Sequence, residues 1–140
     1  METTMTPEKL HVLVVDDEVL VFELFEFEFE DEIASGTIQF EFAPGVDEGL
    51  GILKGRSGAG ISLILSDINM PDRSGFDLLD QVRDQWDNKP VYIISAYSSD
   101  NTREKAKKKG ANRFFTKPFN FEEIRRAISE DFKNESLRVS

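Results

Sequence analysis

The chain has 140 residues, no cysteine and a formal charge of −10 at pH 7. That length suits one ordinary domain that can bury a core unaided, and the missing thiols exclude a disulfide framework or a thiolate metal site and point to a reducing, cytoplasmic home. The acidic balance argues against a direct nucleic-acid role, because affinity for phosphate backbones comes largely from Lys and Arg, and no apolar run approaches the ~20 residues of a membrane span.

The first apolar run is HVLVV at 11–15, followed by TIQFEFA at 37–43, ISLILS at 61–66, VYIIS at 91–95 and NRFFT at 112–116. Three of these five are continuous and β-branched rather than alternating, as strands covered on both faces require. Helix-length segments separate them: VDEGLGILKG at 46–55, SGFDLLDQVRDQW at 74–86 and SSDNTREKAKKKG at 98–110, with NFEEIRRAISEDF at 120–132 after the last. Phe76, Leu79 and Val82 recur at helical spacing behind Ser74 as a cap. Asn120 caps a helix whose Phe121, Ile124, Ala127 and Ile128 make one apolar face. Gly110 suits a helix C-terminus, where a left-handed residue is wanted. Strand and helix in alternation, joined by right-handed crossovers, predict a doubly wound, three-layer α/β domain over 1–140 with its core at 10–133.

FELFEFEFEDE at 22–32 is ambiguous, because Phe25 to Glu30 alternate aromatic and acid with the period of a half-buried strand. Parallel strands need a crossover of a dozen or more residues, however, and residues 18–36 are the whole connection between the first two runs. The connection is therefore predicted to be helix. On it Phe22, Phe25, Phe29 and Ile33 share a face that can pack on the sheet, while Leu20, Leu24 and Phe27 form a second stripe on roughly the opposite side. Such an unpartnered apolar stripe among acids marks a partner surface, a homodimer contact or packing under a neighbouring helix.

Charge is unevenly placed. Nine acids and no base lie between Asp16 and Glu32, whereas REKAKKKG from Arg103 holds five bases and one acid and reads as a solvated helix face. The loop GRSGAG at 55–60 lacks the Lys-Ser/Thr of a phosphate cradle and precedes a strand, so it is read as a flexible connection. His11 and Trp86 read as structural.

Open α/β sheets place their ligands at the carboxyl ends of the strands. Those ends carry Asp16 and Asp17, then Asp67, then Ser95, then Lys117 followed by Pro118. Three carboxylates converging on one edge repel one another unless a cation sits among them, and hard oxygen ligands favour Mg²⁺. An exposed, metal-bound carboxylate can act as a nucleophile toward a phosphoryl group, with a lysine ammonium and a hydroxyl supplying positioning and charge neutralisation.

VVDDE at 14–18, LSDINMPDRSGFDLL at 65–79, ISAY at 94–97 and FTKPF at 115–119 resemble the four signature segments of the response-regulator receiver domain family. The resemblance spans nearly the whole chain, and the combination is specific where DD or KP alone is not. It implies the flavodoxin-like strand order 2-1-3-4-5 with five helices; the chemotaxis member of this family is a standard example of that order. It implies that Asp67 is the phosphoacceptor, that Asp16 and Asp17 hold Mg²⁺ with Asp67 and the backbone carbonyl of Asn69, that Lys117 pairs with the phosphoryl oxygens, and that the Lys117–Pro118 peptide bond is cis. Ser95 matches the family's mobile hydroxyl and Phe114 the aromatic that follows it, while Asn69 and Tyr97 stand where hydrolysis of the acyl phosphate is tuned.

The function so implied is a phosphorelay switch fed by a sensor histidine kinase or phosphotransfer protein, with Leu20, Leu24 and Phe27 as its docking stripe and a downstream effector as its target. The chain either acts alone or belongs to a longer protein. The spacing of fifty residues from Asp17 to Asp67 is somewhat long for the family and places extra length near Ala34 to Thr37 or in GRSGAG. Two other classes compete. A haloacid-dehalogenase-type phosphatase uses the same residue types but wants a DxDx(T/V) segment after the first strand, which DDEVL does not fit; an interaction module that keeps only the fold would not need the five site residues.

Overall fold

The computed structural model describes residues 9–56 and 58–132. Five strands form one parallel sheet: β1 (Leu10–Val15), β2 (Ile38–Ala43), β3 (Leu63–Asp67), β4 (Val91–Ser95) and β5 (Arg113–Thr116), in the order β2-β1-β3-β4-β5. The helices are α1 (Val19–Glu28), α2 (Glu30–Ser35), α3 (Val46–Lys54), α4 (Gly75–Gln85), α5 (Asp100–Lys108) and α6 (Phe121–Phe132). The topology is the one expected, with six helices among the described residues instead of five.

The period-2 geometry of the strands sorts the core into two layers. On β1, Leu10, Val12 and Val14 face one side and join Val21 and Phe25 of α1 and Ile124, Ala127 and Ile128 of α6. Leu13 and Val15 face the other and join Val46, Leu50 and Leu53 of α3, Leu78, Leu79 and Val82 of α4 and Ala106 of α5. The central strands β3 and β4 are buried along their full lengths, which is why their sequences are continuously apolar.

The sixth helix comes from a break in the connection between β1 and β2. Phe29 leaves helical geometry at φ −110° and ψ 23°, ending α1 and opening α2. Arg125 of α6 occupies that break. Its guanidinium donates to the Glu28 carbonyl oxygen at 2.6 Å, pairs with the Glu32 carboxylate and lies 4.4 Å from the centre of the Phe29 ring. The break shifts the helical phase of the residues beyond it. Phe25 and Phe29 pack in the core as expected and Phe22 lies partly buried against Phe42, but Ile33 is exposed and Glu32 takes the inward position. A buried carboxylate is tolerated only with a partner, and Arg125 is that partner. Phe25 is the hub of the layer, with ring contacts to Phe29, Phe40, Phe119 and Phe121.

Gly36 closes α2 in the left-handed region at φ 80°, with Gly36 N–H donating to the Ile33 carbonyl and Thr37 N–H to that of Glu32. GRSGAG contains regular structure that its composition does not suggest. Its second half forms a 3₁₀ turn at Gly58–Gly60, and Gly58 packs so closely that a Cβ there would lie 1.7 Å from the Leu53 carbonyl oxygen. His11 meets Glu41 on β2 at 2.7 Å, and Trp86 packs at the end of α4 against the second layer.

Candidate functional site

Register brings the strand ends to one edge. Val15 pairs with Ser66, Asp67 with Ile94 and Ser95 with Thr116, so the residues just beyond β1 and β5 and those that end β3 and β4 emerge together. Gly75 lets α4 start close beneath this edge: its N–H donates to the Ile68 carbonyl at 2.8 Å, and a Cβ there would lie 2.1 Å from the Asp67 carbonyl oxygen.

Asp16, Asp17 and Asp67 each offer an oxygen within 4.8 Å of the others. Asp16 and Asp67 are buried, at 2% and 7% exposure, and Asp17 is open to solvent. One oxygen of each buried acid is held by the backbone, Asp16 Oδ1 accepting from Glu18 N–H at 2.9 Å and Asp67 Oδ1 from Ile68 N–H at 2.8 Å. Their second oxygens face Lys117 Nζ, at 3.0 Å for Asp16 and 3.4 Å for Asp67, and Glu18 Oε1 approaches the same ammonium at 3.3 Å. The Lys117–Pro118 peptide is cis, as the resemblance implied.

Burial raises the Asp16 carboxyl above the ordinary carboxylate range, and the Asp17 charge adds to this, while the Glu18 N–H and Lys117 pull the other way. Asp67 is likewise raised, first by burial and then by Asp16, against the pull of Lys117 and Ile68 N–H. Burial works against the Lys117 ammonium, yet the hydrogen bond to Asp16 and the charges of Asp67 and Asp16 outweigh it and hold the amine above its usual value. Two desolvated carboxylates, Asp16 and Asp67, thus share a single ammonium with the exposed Glu18. With the exposed Asp17, Asp16 and Asp67 also make an all-oxygen, carboxylate donor set that fits a hard divalent cation.

Ser95 is fully buried at the end of β4, and its Oγ accepts from Tyr97 N–H at 2.9 Å. Ser95, Asn69, Tyr97, Phe76 and Thr102 line a cleft of about 510 Å³ next to Asp67. Phe114 lies on β5 in the second core layer, with the Arg103 guanidinium 4.8 Å from its ring centre. Leu20, Leu24 and Phe27 are exposed on α1, at 71%, 44% and 68%, as the two-faced helix expected. The site residue that sequence patterns do not single out is Glu18. Its only signal is its place as third acid in the DDE run, and its approach to Lys117 across a sequence separation of 99 residues is a tertiary fact.

The sequence profile described as response regulator receiver domain matches residues 12–129. A 14.6 kDa protein from the sodA1 3′ region of Leptolyngbya boryana is 32% identical over 124 residues, covering 87% of this chain and 89% of that one. The transcriptional regulatory protein YkoG of Bacillus subtilis is 32% identical over 84% of this chain but only 48% of its own length, so the chain spans about half of that relative. Among solved structures, the Francisella response regulator 1452 receiver domain is 28% identical with a TM-score of 0.77, covering 91% of this chain and 98% of that one. The CheY-like receiver domain protein of Methanospirillum hungatei shares the fold at a TM-score of 0.79 and 23% identity, covering 90% of this chain and 95% of that one. With the acids, the lysine and the buried serine at the carboxyl edge of a 2-1-3-4-5 sheet, and with the profile running through nearly all of it, this chain belongs to the response regulator receiver domain family.

Proposed function

We propose that this chain is the phosphoacceptor of a two-component phosphorelay, taking a phosphoryl group from a histidine kinase or phosphotransfer protein onto Asp67 with Mg²⁺ bound. The observation that carries the reading is the convergence of Asp16, Asp17 and Asp67 within 4.8 Å, with Lys117 Nζ 3.4 Å from Asp67. In the transfer an Asp67 carboxylate oxygen forms the bond to phosphorus as the phosphorus–nitrogen bond of the donor phosphohistidine breaks. The imidazole nitrogen leaves with the electron pair. Asp16, Asp17, Asp67 and the Asn69 backbone carbonyl are the groups that would hold Mg²⁺, which supplies charge neutralisation for the incoming phosphoryl oxygens. Lys117 pairs with those oxygens. The Ser95 hydroxyl, whose oxygen now accepts from Tyr97 N–H, moves to donate its hydrogen to them; Phe114 is the ring whose rotamer follows that movement. The added charge biases a two-state surface that a downstream effector reads. The chain assists only its own phosphorylation and dephosphorylation, in the cytoplasm, and is not a turnover enzyme.

Leu20, Leu24 and Phe27 form the docking stripe for the phosphodonor. Their exposure on α1, the helix that starts beside Asp17, supports that assignment. Incubation with acetyl phosphate and Mg²⁺ is expected to add one phosphoryl group by intact mass, and Asp67→Asn is expected to abolish it. Sustained hydrolysis of a small phosphate ester would instead favour a phosphatase. No mass change together with no spectral response to beryllofluoride would leave an interaction module. Leu24→Glu and Phe27→Glu should preserve acetyl phosphate labelling and slow transfer from the cognate kinase; unchanged transfer refutes the docking stripe.

A further inference from the structure

Lys117 meets three acids, and they are not equivalent. Asp16 and Asp67 belong to the carboxylate cluster, whereas Glu18 does not. Glu18 stands at the N-cap of α1, where the shorter Asp, Asn, Ser or Thr would accept a hydrogen bond from the first-turn amides. Its side chain makes no such bond. It reaches instead over the site, bringing Oε1 to 3.3 Å from Lys117 Nζ, while its own N–H holds Asp16 Oδ1 at 2.9 Å. Glu18 therefore touches both halves of the site, fixing an acid through its backbone and the ammonium through its side chain.

The competition between cation and ammonium makes this arrangement consequential. Asp16 Oδ1 is committed to the Glu18 amide and Asp16 Oδ2 to Lys117 at 3.0 Å. A divalent cation ligated by Asp16 and Asp67 draws on the oxygens that Lys117 now uses. An ammonium has three donors and no preferred fork, so it can transfer its pairing to whichever acid remains. Glu18 is the acid that remains.

We propose that Glu18 is a positioning residue that, from outside the cation-binding set, keeps the Lys117 ammonium beside Asp67 while Asp16 and Asp67 ligate a divalent cation. This rests on the reading of Asp16, Asp17 and Asp67 as a divalent-cation site. By giving Lys117 an alternative partner, Glu18 lowers the cost of drawing it off Asp16 and so favours cation binding.

The test is calorimetric titration with Mg²⁺, which needs no phosphodonor. Glu18→Gln is expected to weaken Mg²⁺ about two- to fivefold, the effect of losing one exposed ion pair. Glu18→Asp keeps the charge but shortens the reach by a methylene, and it is expected to behave like Glu18→Gln. In a Lys117→Met background, or Lys117→Gln if the methionine variant is poorly folded, Glu18→Gln is expected to have a markedly smaller effect. If Glu18→Asp binds like the unsubstituted protein, or if Glu18→Gln weakens Mg²⁺ equally with and without Lys117, Glu18 acts only as a nearby charge and the proposal is overturned. Absence of Mg²⁺ binding by the unsubstituted protein overturns the cation reading and this inference together; binding without the Glu18 dependence overturns this inference alone.

Discussion

Asp67→Asn in the absence of divalent cations should make the protein more stable at neutral pH. Asp67 is 7% exposed, and its ionised form is held in place by opposing forces. At an effective dielectric of about 20, Lys117 at 3.4 Å contributes roughly 5 kcal/mol of attraction, and Asp16, no farther than 4.8 Å, contributes at least about 3.5 kcal/mol of repulsion. Coulomb interactions alone thus favour the ion by at most about 1.5 kcal/mol, before the exposed and screened Asp17 is considered, whereas burying an ion costs several kcal/mol. That burial dominates is why the carboxyl is raised. Asparagine keeps the acceptor for Ile68 N–H, leaves Lys117 paired with Asp16 and removes the ion, so a gain of about 1–2 kcal/mol is expected, or ~3–8 °C in Tm for a domain of this size. The folded-state pKa lies above the unfolded value near 3.8, so protonated Asp67 costs nothing below that pH and the cost appears as pH rises through the folded value. Thermal melts with chelator at pH 4 and pH 7 should therefore show similar Tm values for the two proteins at the lower pH and a separation at the higher one. Mg²⁺ at ten times its Kd should raise the unsubstituted protein by about 1.4 kcal/mol and the variant by less. A variant that is less stable at pH 7, or equally stabilised at both pH values, refutes the electrostatic reasoning.

The remaining predictions concern the scaffold. Arg125→Ala leaves Glu32 buried without a cation and removes a donor to the Glu28 carbonyl, so a loss of about 3–5 kcal/mol in urea unfolding is expected; Glu32→Leu combined with Arg125→Leu should recover most of it. Two glycines separated by one helical end should respond with opposite sign. Gly51→Ala, on α3 with nothing near the added methyl, should stabilise by about 0.5–1 kcal/mol, whereas Gly58→Ala drives its methyl into the Leu53 carbonyl and should cost about 3 kcal/mol. Equal Tm shifts for the two glycine variants refute the packing assigned to the turn.

The frame is legible in the sequence because it depends on short-range pattern. Continuous apolar runs such as VYIIS mark doubly covered strands, and Asn120, Ser74 and Gly110 bound helices for reasons local to the chain. The site residues are legible for a related reason: the sheet edge collects the residues at the carboxyl ends of parallel strands, so Asp16, Asp67, Ser95 and Lys117 can be placed together from strand position alone. FELFEFEFEDE shows the limit. Crossover length requires a helix there, and its exposed stripe is readable from spacing, but the break at Phe29 is not, because its partner Arg125 lies 97 residues from Glu28.

Periodicity and segment length are therefore enough to set the fold class, the strand ends that meet and the two-faced character of α1, while the strand order is legible only through the family resemblance. They are not enough to show that Glu32 and not Ile33 turns inward, that Gly58 packs against a carbonyl, or that Glu18 reaches Lys117. Those outcomes depend on which distant groups arrive to satisfy a charge or fill a space. A buried carboxylate is acceptable only where a cation is delivered to it, and that delivery is a property of the assembled fold.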